Sequence, residues 1–249
     1  MRELDEIVTN IRRNTSFKNK DNYECAECKD TGWITYNDEM GRPFTKKCKC
    51  HEMREVRRYI EQSGISEEFQ TKGFGNFDTR NIPQLIDAKS KAMEYYKSFC
   101  DYEHTRNNSI LFYGQVGAGK THLGTAIAAN LMRRGIPVTY MPYRNVTTKI
   151  KQVITDSEEY SRELLRFTRC RVLFVDDLLK GKITQSDVNI MYELVNYRYM
   201  NNLPFIISTE RSLQELLDFD EAVSSRIIEM CRGNIVKLQG KELNYRLYS

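Results

Sequence analysis

Ile110-Leu-Phe-Tyr-Gly-Gln-Val-Gly-Ala-Gly-Lys-Thr121 decides the fold of this 249-residue chain. Ile110 to Tyr113 have the length and composition of a buried strand. Gly114-Gln115-Val116-Gly117-Ala118-Gly119-Lys120-Thr121 then matches G-x-x-x-x-G-K-[ST] in full. The glycines let backbone N–H groups wrap a phosphate without side-chain obstruction, and the N-terminus of a following helix adds partial positive charge. Lys120 is placed to reach the β- and γ-phosphates of a nucleotide, and Thr121 to ligate Mg²⁺. His122 closes the candidate nucleotide-binding segment Gly114–His122, as a packing or surface residue rather than a catalyst. A plain glycine-rich turn is the competing reading. Lys-Thr in register between a strand and a helix weighs against it.

Outward from this loop the chain alternates apolar runs with amphipathic stretches. Strands are expected at Val138-Thr-Tyr-Met141, Val172-Leu-Phe-Val175, Phe205-Ile-Ile-Ser208 and Ile235-Val-Lys-Leu238. Helices are expected from Thr121 to Arg134, from Ser186 to Met200, and after the capping box Ser212-Leu-Gln-Glu215. Such alternation implies crossover units and an α/β fold with a parallel sheet covered on both faces. Val172-Leu-Phe-Val175 runs into Asp176-Asp177, two acids at the carboxyl end of a central strand, where parallel-sheet ligands bind. Asp176 is the candidate Mg²⁺ ligand and Asp177 the carboxylate that polarises an attacking water.

The other half of the reading comes from the cysteines, four of whose seven fall between residues 25 and 50. Residues 1–22 are polar with a short amphipathic run, and residues 23–51 hold almost no aliphatic side chain beyond Ile34, so a conventional core cannot form there. Cys25-x-x-Cys28 and Cys48-x-Cys50 supply two thiolate pairs across a loop, a pattern for tetrahedral Zn²⁺ whose binding free energy folds the segment. His51 stands next to the second pair and could replace Cys48 or Cys50 as a ligand. Disulfides and a redox C-x-x-C remain the alternatives. Trp33-Ile-Thr-Tyr36 reads as a hairpin strand with Asn37–Gly41 at its tip. A helix and an irregular connector with aromatic anchors fill residues 52–78, and the nucleotide domain occupies 79–249.

Residues 65 to 249 resemble an AAA+ ATPase of the DnaC/DnaI helicase-loader type, related to the IstB transposition helpers. The phosphate loop, the Asp176-Asp177 pair and the later segments carry the likeness. It implies an AAA+ sheet with flanking helices behind a small zinc-binding domain, and ATP hydrolysis that is weak without partners. Ser224-Ser-Arg226-Ile matches the segment of the family's arginine finger, which completes a neighbouring subunit's site. Asn244-Tyr-Arg246 resembles the closing sensor-two motif. The family carries an asparagine after its fourth strand, and this chain reads Ser208-Thr209-Glu210 instead. Thr209 or Glu210 then takes the sensor role. The cysteine segment resembles the zinc-binding region of DnaI-like and phage-encoded loaders, which contacts a replicative helicase.

The resemblance therefore implies ATP, Mg²⁺ and Zn²⁺ as cofactors. Its implied partners are a hexameric DnaB-like helicase, single-stranded DNA and further copies of the chain meeting at their ATP sites. Lys149 and Lys151, just after the second strand, are candidate DNA contacts, although a solvated helix face explains them equally. The net charge of +4, from 38 basic and 34 acidic residues, is too mild to diagnose nucleic-acid binding. With no long apolar run and no signal-like start, a soluble cytoplasmic protein is expected. An IstB-like transposition helper and a non-hydrolysing nucleotide-gated adaptor are the other functional readings.

Overall fold

The computed structural model describes residues 23–38, 40–66 and 71–248. The helix expected within residues 1–22 lies outside them. By its internal contacts the chain divides into two units between Arg57 and Arg58.

In the first unit β1 (Trp33–Asn37) and β2 (Pro43–Lys47) pair antiparallel, with Trp33 opposite Lys47 and Asn37 opposite Pro43. The turn is set by Asp38, whose carboxylate accepts the N–H groups of Met40 and Arg42 at 2.9 and 2.8 Å. Both strands are largely exposed. The buried apolar side chains of this unit, among the described residues, are Cys28, Cys48 and Cys50, with Cys25 and Ile34 against them. Helix α1 (Lys49–Ser63) begins directly after the hairpin and stops at Gly64, which has φ of +81°.

The second unit opens with α2 (Pro83–Tyr102), which starts on a proline and buries Leu85, Ala88, Ala92, Tyr95 and Phe99. β3 (Ile110–Gly114), α3 (Lys120–Arg133), β4 (Val138–Pro142), α4 (Tyr143–Gln152), α5 (Ser157–Thr168) and β5 (Val172–Asp176) follow. Next come α6 (Gln185–Met200), β6 (Phe205–Thr209), α7 (Leu213–Phe219), α8 (Glu221–Met230) and β7 (Ile235–Leu238). A 3₁₀ turn (Lys241–Leu243) and α9 (Tyr245–Tyr248) end the described chain. The five strands expected from the apolar runs are all present. The capping box is present too, Ser212 Oγ accepting from Glu215 N–H and Glu215 returning to Ser212 N–H.

The strands form one parallel sheet in the order β4-β5-β6-β3-β7. Alternation along each strand divides the core between two faces. Ile110, Phe112, Val172, Phe174 and Ile206 pack with α2 and α3, while Leu111, Leu173, Val175, Phe205 and Ile207 pack with the helices α4 to α8. Phe174 lies so close over Gly124 that a Cβ there would stand 2.5 Å from its ring. The buried Arg198 of α6 donates to the carbonyls of Phe167, Cys170 and Pro204, tying α6 to the turns flanking β5 and β6. Its charge is thereby solvated by backbone dipoles in place of water.

The consequence for function is the position of β6. It inserts between β3, which carries the phosphate loop, and β5, which carries the acid pair. The carboxyl ends of three strands thus converge on one point.

Candidate functional site

A cavity of about 500 Å³ opens at those carboxyl ends. Its walls include Lys120 and Thr121 after β3, Asp176 and Asp177 at the end of β5, Glu210 after β6 and Arg246 after β7. The loop conformation requires glycine at Gly114, Gly117 and Gly119, and the last two are approached closely by distant segments. Gly117 has φ of +73° and a Cβ there would lie 2.1 Å from Asn244 Oδ1; Gly119 has φ of +86° and a Cβ would lie 2.5 Å from the Phe77 ring. These close approaches hold the loop in place, one from the C-terminal segment and one from the connector after α1.

Lys120 is buried, and its ammonium donates to the carbonyls of Gly114 and Gln115 at 2.9 and 2.7 Å. Burial draws its pKa down, against the pull of Glu210, Asp177 and Asp176. Gly114 and Gln115 therefore serve the lysine through their carbonyls. Val116, Gly117, Ala118 and Gly119 form the cavity wall itself. His122 Nε2 stands 2.9 Å from the Gly73 carbonyl and its ring meets Phe77 edge-on. Because a carbonyl only accepts, the proton sits on Nε2, and burial keeps the imidazole neutral by lowering its pKa. His122 thus pins the connector to the start of α3.

Asp176 is the hub. Its Oδ1 accepts from Thr121 Oγ1 at 2.8 Å and from Ser208 Oγ, and its Oδ2 accepts from Tyr140 OH at 2.9 Å. Tyr140 is pushed well above the ordinary phenol range, first by burial and then by the charge of Asp176, so it remains a donor. A carboxylate and a hydroxyl 2.8 Å apart beside a phosphate loop suit a hard divalent cation with oxygen ligands, so Thr121 and Asp176 could hold Mg²⁺. Asp177 adopts φ of +55° and its N–H donates to Ser208 Oγ at 2.9 Å. Its carboxylate bonds Lys180 at 2.7 Å.

The remaining expected residues lie as follows. Arg246 reaches the cavity wall because Tyr245 N–H donates to the Gly117 carbonyl at 3.0 Å, docking the C-terminal segment on the phosphate loop. Arg226 is outside the cavity, its guanidinium 5.7 Å from the Tyr192 ring centre and 5.5 Å from that of Tyr199. Thr209 is fully buried and donates to the Leu178 carbonyl at 2.8 Å, so the residue after β6 that reaches the cavity is Glu210. Lys149 is exposed on α4. Lys151 is ion-paired with the buried Asp187 at 2.9 and 3.1 Å, which commits its ammonium to packing α4 against α6. Ser208, Tyr140 and Lys180 escaped sequence reasoning. Ser208 was legible only as a polar residue ending an apolar strand.

In the first unit the four sulfur atoms of Cys25, Cys28, Cys48 and Cys50 lie within 4.8 Å of one another. Cys25 Sγ is 3.7 Å from Cys48 Sγ, and Cys28 Sγ is 3.3 Å from Cys50 Sγ. A tetrahedral zinc with bonds of about 2.3 Å spaces its sulfur ligands about 3.8 Å apart, whereas a disulfide needs about 2 Å. All seven cysteines are free thiols. The donor set therefore fits a metal. Burial opposes ionisation of Cys28, but hydrogen bonds from Cys50, from the Gly32 N–H and from the other two thiols outweigh it and draw its pKa down to about 6. His51 turns Nδ1 toward Glu55 at 3.5 Å and is not part of the sulfur group. Asp30 accepts the N–H groups of Cys25 and Glu24 and binds Arg54 of α1, bracing the first cysteine turn.

A family profile described as IstB-like ATP binding protein matches residues 24–247. The chain belongs to that family. Among its relatives, the phage-like element PBSX protein XkdC of Bacillus subtilis is 35% identical over 99% of this chain and 97% of its own length. An uncharacterised Bacillus subtilis protein, YqaM, is 40% identical over 82% of this chain and 67% of its own. The replicative helicase loader DnaC of Escherichia coli is 24% identical over 72% and 71%. Among solved structures, this IstB-like chain shares its fold with DnaI (TM-score 0.58, 19% identity, 71% of this chain and 94% of that one) and with the DnaC helicase loader (TM-score 0.60, 20% identity, 70% and 99%). The α/β sheet thus has the fold of those proteins, and the family match makes it a P-loop ATP-binding domain. Among the described residues, no helix is long and apolar enough to cross a membrane.

Proposed function

We propose that this protein is an ATP-dependent loader of a hexameric replicative helicase onto single-stranded DNA. The observation that carries the reading is a phosphate-loop cavity on the DnaC/DnaI fold joined in one chain to a four-cysteine unit. In this reading Lys120 and the loop N–H groups hold the β- and γ-phosphates, Thr121 and Asp176 hold Mg²⁺, and Asp177 orients the attacking water. Mg²⁺ supplies charge neutralisation for phosphoryl transfer. Arg226 serves the cavity of a neighbouring copy, so hydrolysis depends on assembly. The four cysteines hold zinc. Lys149, with the exposed Arg144, offers charge for DNA phosphates. The compartment is the cytoplasm, where replication takes place.

The direct test is capture of the replicative helicase of the bacterial host on the immobilised chain, with Mg·ATP, with Mg·ADP and without nucleotide. Retention that is strongest with ATP is expected. Equal absence of the helicase in all three overturns the loader reading.

One observation favours a second reading. An insertion-sequence IS5376 ATP-binding protein of Geobacillus stearothermophilus aligns over 89% of this chain and 85% of its own length at 22% identity. A transposition helper binds duplex DNA and a transposase, and duplex binding without helicase capture selects it. Asp177→Asn addresses the non-hydrolysing adaptor. Loading that persists undiminished in this variant makes hydrolysis dispensable and supports the adaptor.

A further inference from the structure

Glu210 stands where the sheet order puts a residue beside the phosphate loop, and an acid there faces the place of an anion. Its partner is Lys180. The Lys180 ammonium lies 2.7 Å from Asp177 Oδ2 and 3.1 Å from Glu210 Oε1, and all three side chains line the cavity with Lys120. The turn that carries Lys180 is firmly held. Leu178 N–H donates to the Ser208 carbonyl at 2.8 Å, the Thr209 hydroxyl donates to the Leu178 carbonyl at 2.8 Å, and Lys180 N–H closes onto the Asp177 carbonyl at 3.1 Å. Leu178 and Leu179 are both buried beneath it. The ends of β5 and β6 are therefore bonded together, and the ammonium projects from a rigid base.

The hydrogen-bond count of this ammonium is informative. A lysine has three N–H donors and no acceptor. Two of the three go to Asp177 and Glu210, leaving one for an acceptor in the cavity. The hydrogen bonds to these two carboxylates, that to Asp177 foremost, raise the pKa of Lys180, so the side chain is a cation at neutral pH. Lys120 feels the charges of Glu210, Asp177 and Lys180 together, which places all four in one electrostatic unit.

We propose that Lys180 is the residue that reads the terminal phosphate of a nucleoside triphosphate, with Glu210 as the positioning residue that holds its ammonium at the cavity. This rests on the nucleotide reading above. The polar sensor that the family carries after its fourth strand is thus supplied from the neighbouring turn, and the acid at position 210 becomes its anchor. The phosphate oxygen takes the third N–H of the ammonium while Asp177 and Glu210 keep the other two.

The test compares affinities of the full, metal-loaded chain for a non-hydrolysable ATP analogue and for ADP, both with Mg²⁺, by titration calorimetry. Lys180→Met is expected to weaken the analogue about tenfold, the size of one charge-assisted hydrogen bond, with ADP unchanged. Lys180→Arg is expected to recover most of the loss, and Glu210→Gln to weaken the analogue by a smaller factor. The double variant Lys180→Met/Glu210→Gln is expected to stay at the Lys180→Met value. Its return to the wild-type preference would overturn the proposal, because Lys180 would then be only a counter-ion for Glu210. An unchanged analogue affinity in Lys180→Met, or parallel loss of analogue and ADP, overturns it as well. A wild-type chain that binds neither nucleotide overturns the nucleotide reading and this proposal together.

Discussion

The hairpin unit and the parallel-sheet unit of this chain solve the same problem by different means. In the sheet unit each strand contributes side chains to two apolar layers, and Phe112, Phe174, Ile206 and Leu173 are fully buried. In the hairpin unit nearly every strand residue is exposed, and the buried apolar side chains among those described are cysteines. Core burial scales with chain length, so a segment of this size lacks the apolar area to offset its conformational entropy. In the proposed reading, coordination by the four cysteines substitutes for that area, because metal affinity becomes folding free energy. On that reading the hairpin unit is vulnerable to removal of an ion, and the sheet unit to removal of a methyl group.

The largest effect is expected from the metal. Chelation, or Cys28→Ser, should abolish zinc binding and the order of the hairpin, a loss on the order of 10 kcal/mol by analogy with structural zinc sites. Hydrogen exchange should then show β1 and β2 unprotected while β3 and β5 remain protected. Retained protection of the hairpin after zinc is gone would break the comparison. Next comes the proposed role of Arg226 in the cavity of a second copy. Arg226→Ala should lower partner-stimulated ATP hydrolysis by at least about 10³-fold, the scale of a trans arginine, with nucleotide affinity unchanged. Normal turnover in that variant removes the finger assignment.

Within the apolar core, Phe174→Ala should cost about 3–5 kcal/mol of stability in denaturant unfolding, since it empties the layer over Gly124. Zinc content should stay at the wild-type value, and a fall in it would mean the two units are not separately stabilised. The smallest effect concerns the hub of the cavity. Tyr140→Phe removes one of the three hydroxyls on Asp176 and should weaken Mg²⁺ about tenfold in the nucleotide-bound protein, read as a shift in the Mg²⁺ titration of nucleotide affinity. An unshifted titration would show that Tyr140 only fills space.

Much of this was legible in residues 110–121 and in the spacing of the cysteines, and the reasons are physical. Buried parallel strands read as short continuous apolar runs, and a phosphate loop has few sequence solutions. Helices α2, α4 and α5 carry no comparable signal in the sequence. The buried stripe of α2 runs through Ala88 and Ala92, which are too small to stand out as a hydrophobic face, and α5 begins among Ser157, Glu158 and Glu159. The partners of Asp176 were hidden for another reason. Tyr140 and Ser208 lie 36 and 32 positions away, and their meeting at one carboxylate follows from strand order, which periodicity does not encode. Lys180 is one lysine among many until the ends of β5 and β6 are seen bonded together.

In the proposed function, nucleotide held at Lys120 governs delivery of a helicase to DNA. The most direct test is a loading assay on circular single-stranded DNA, in which the host's replicative helicase, Mg·ATP and either the wild-type chain or Lys120→Ala are combined and DNA-bound helicase is counted. Loading by the wild type, and its loss with Lys120→Ala while zinc content and fold are retained, is the predicted result. Equal loading by the two proteins, or none by the wild type, would contradict it.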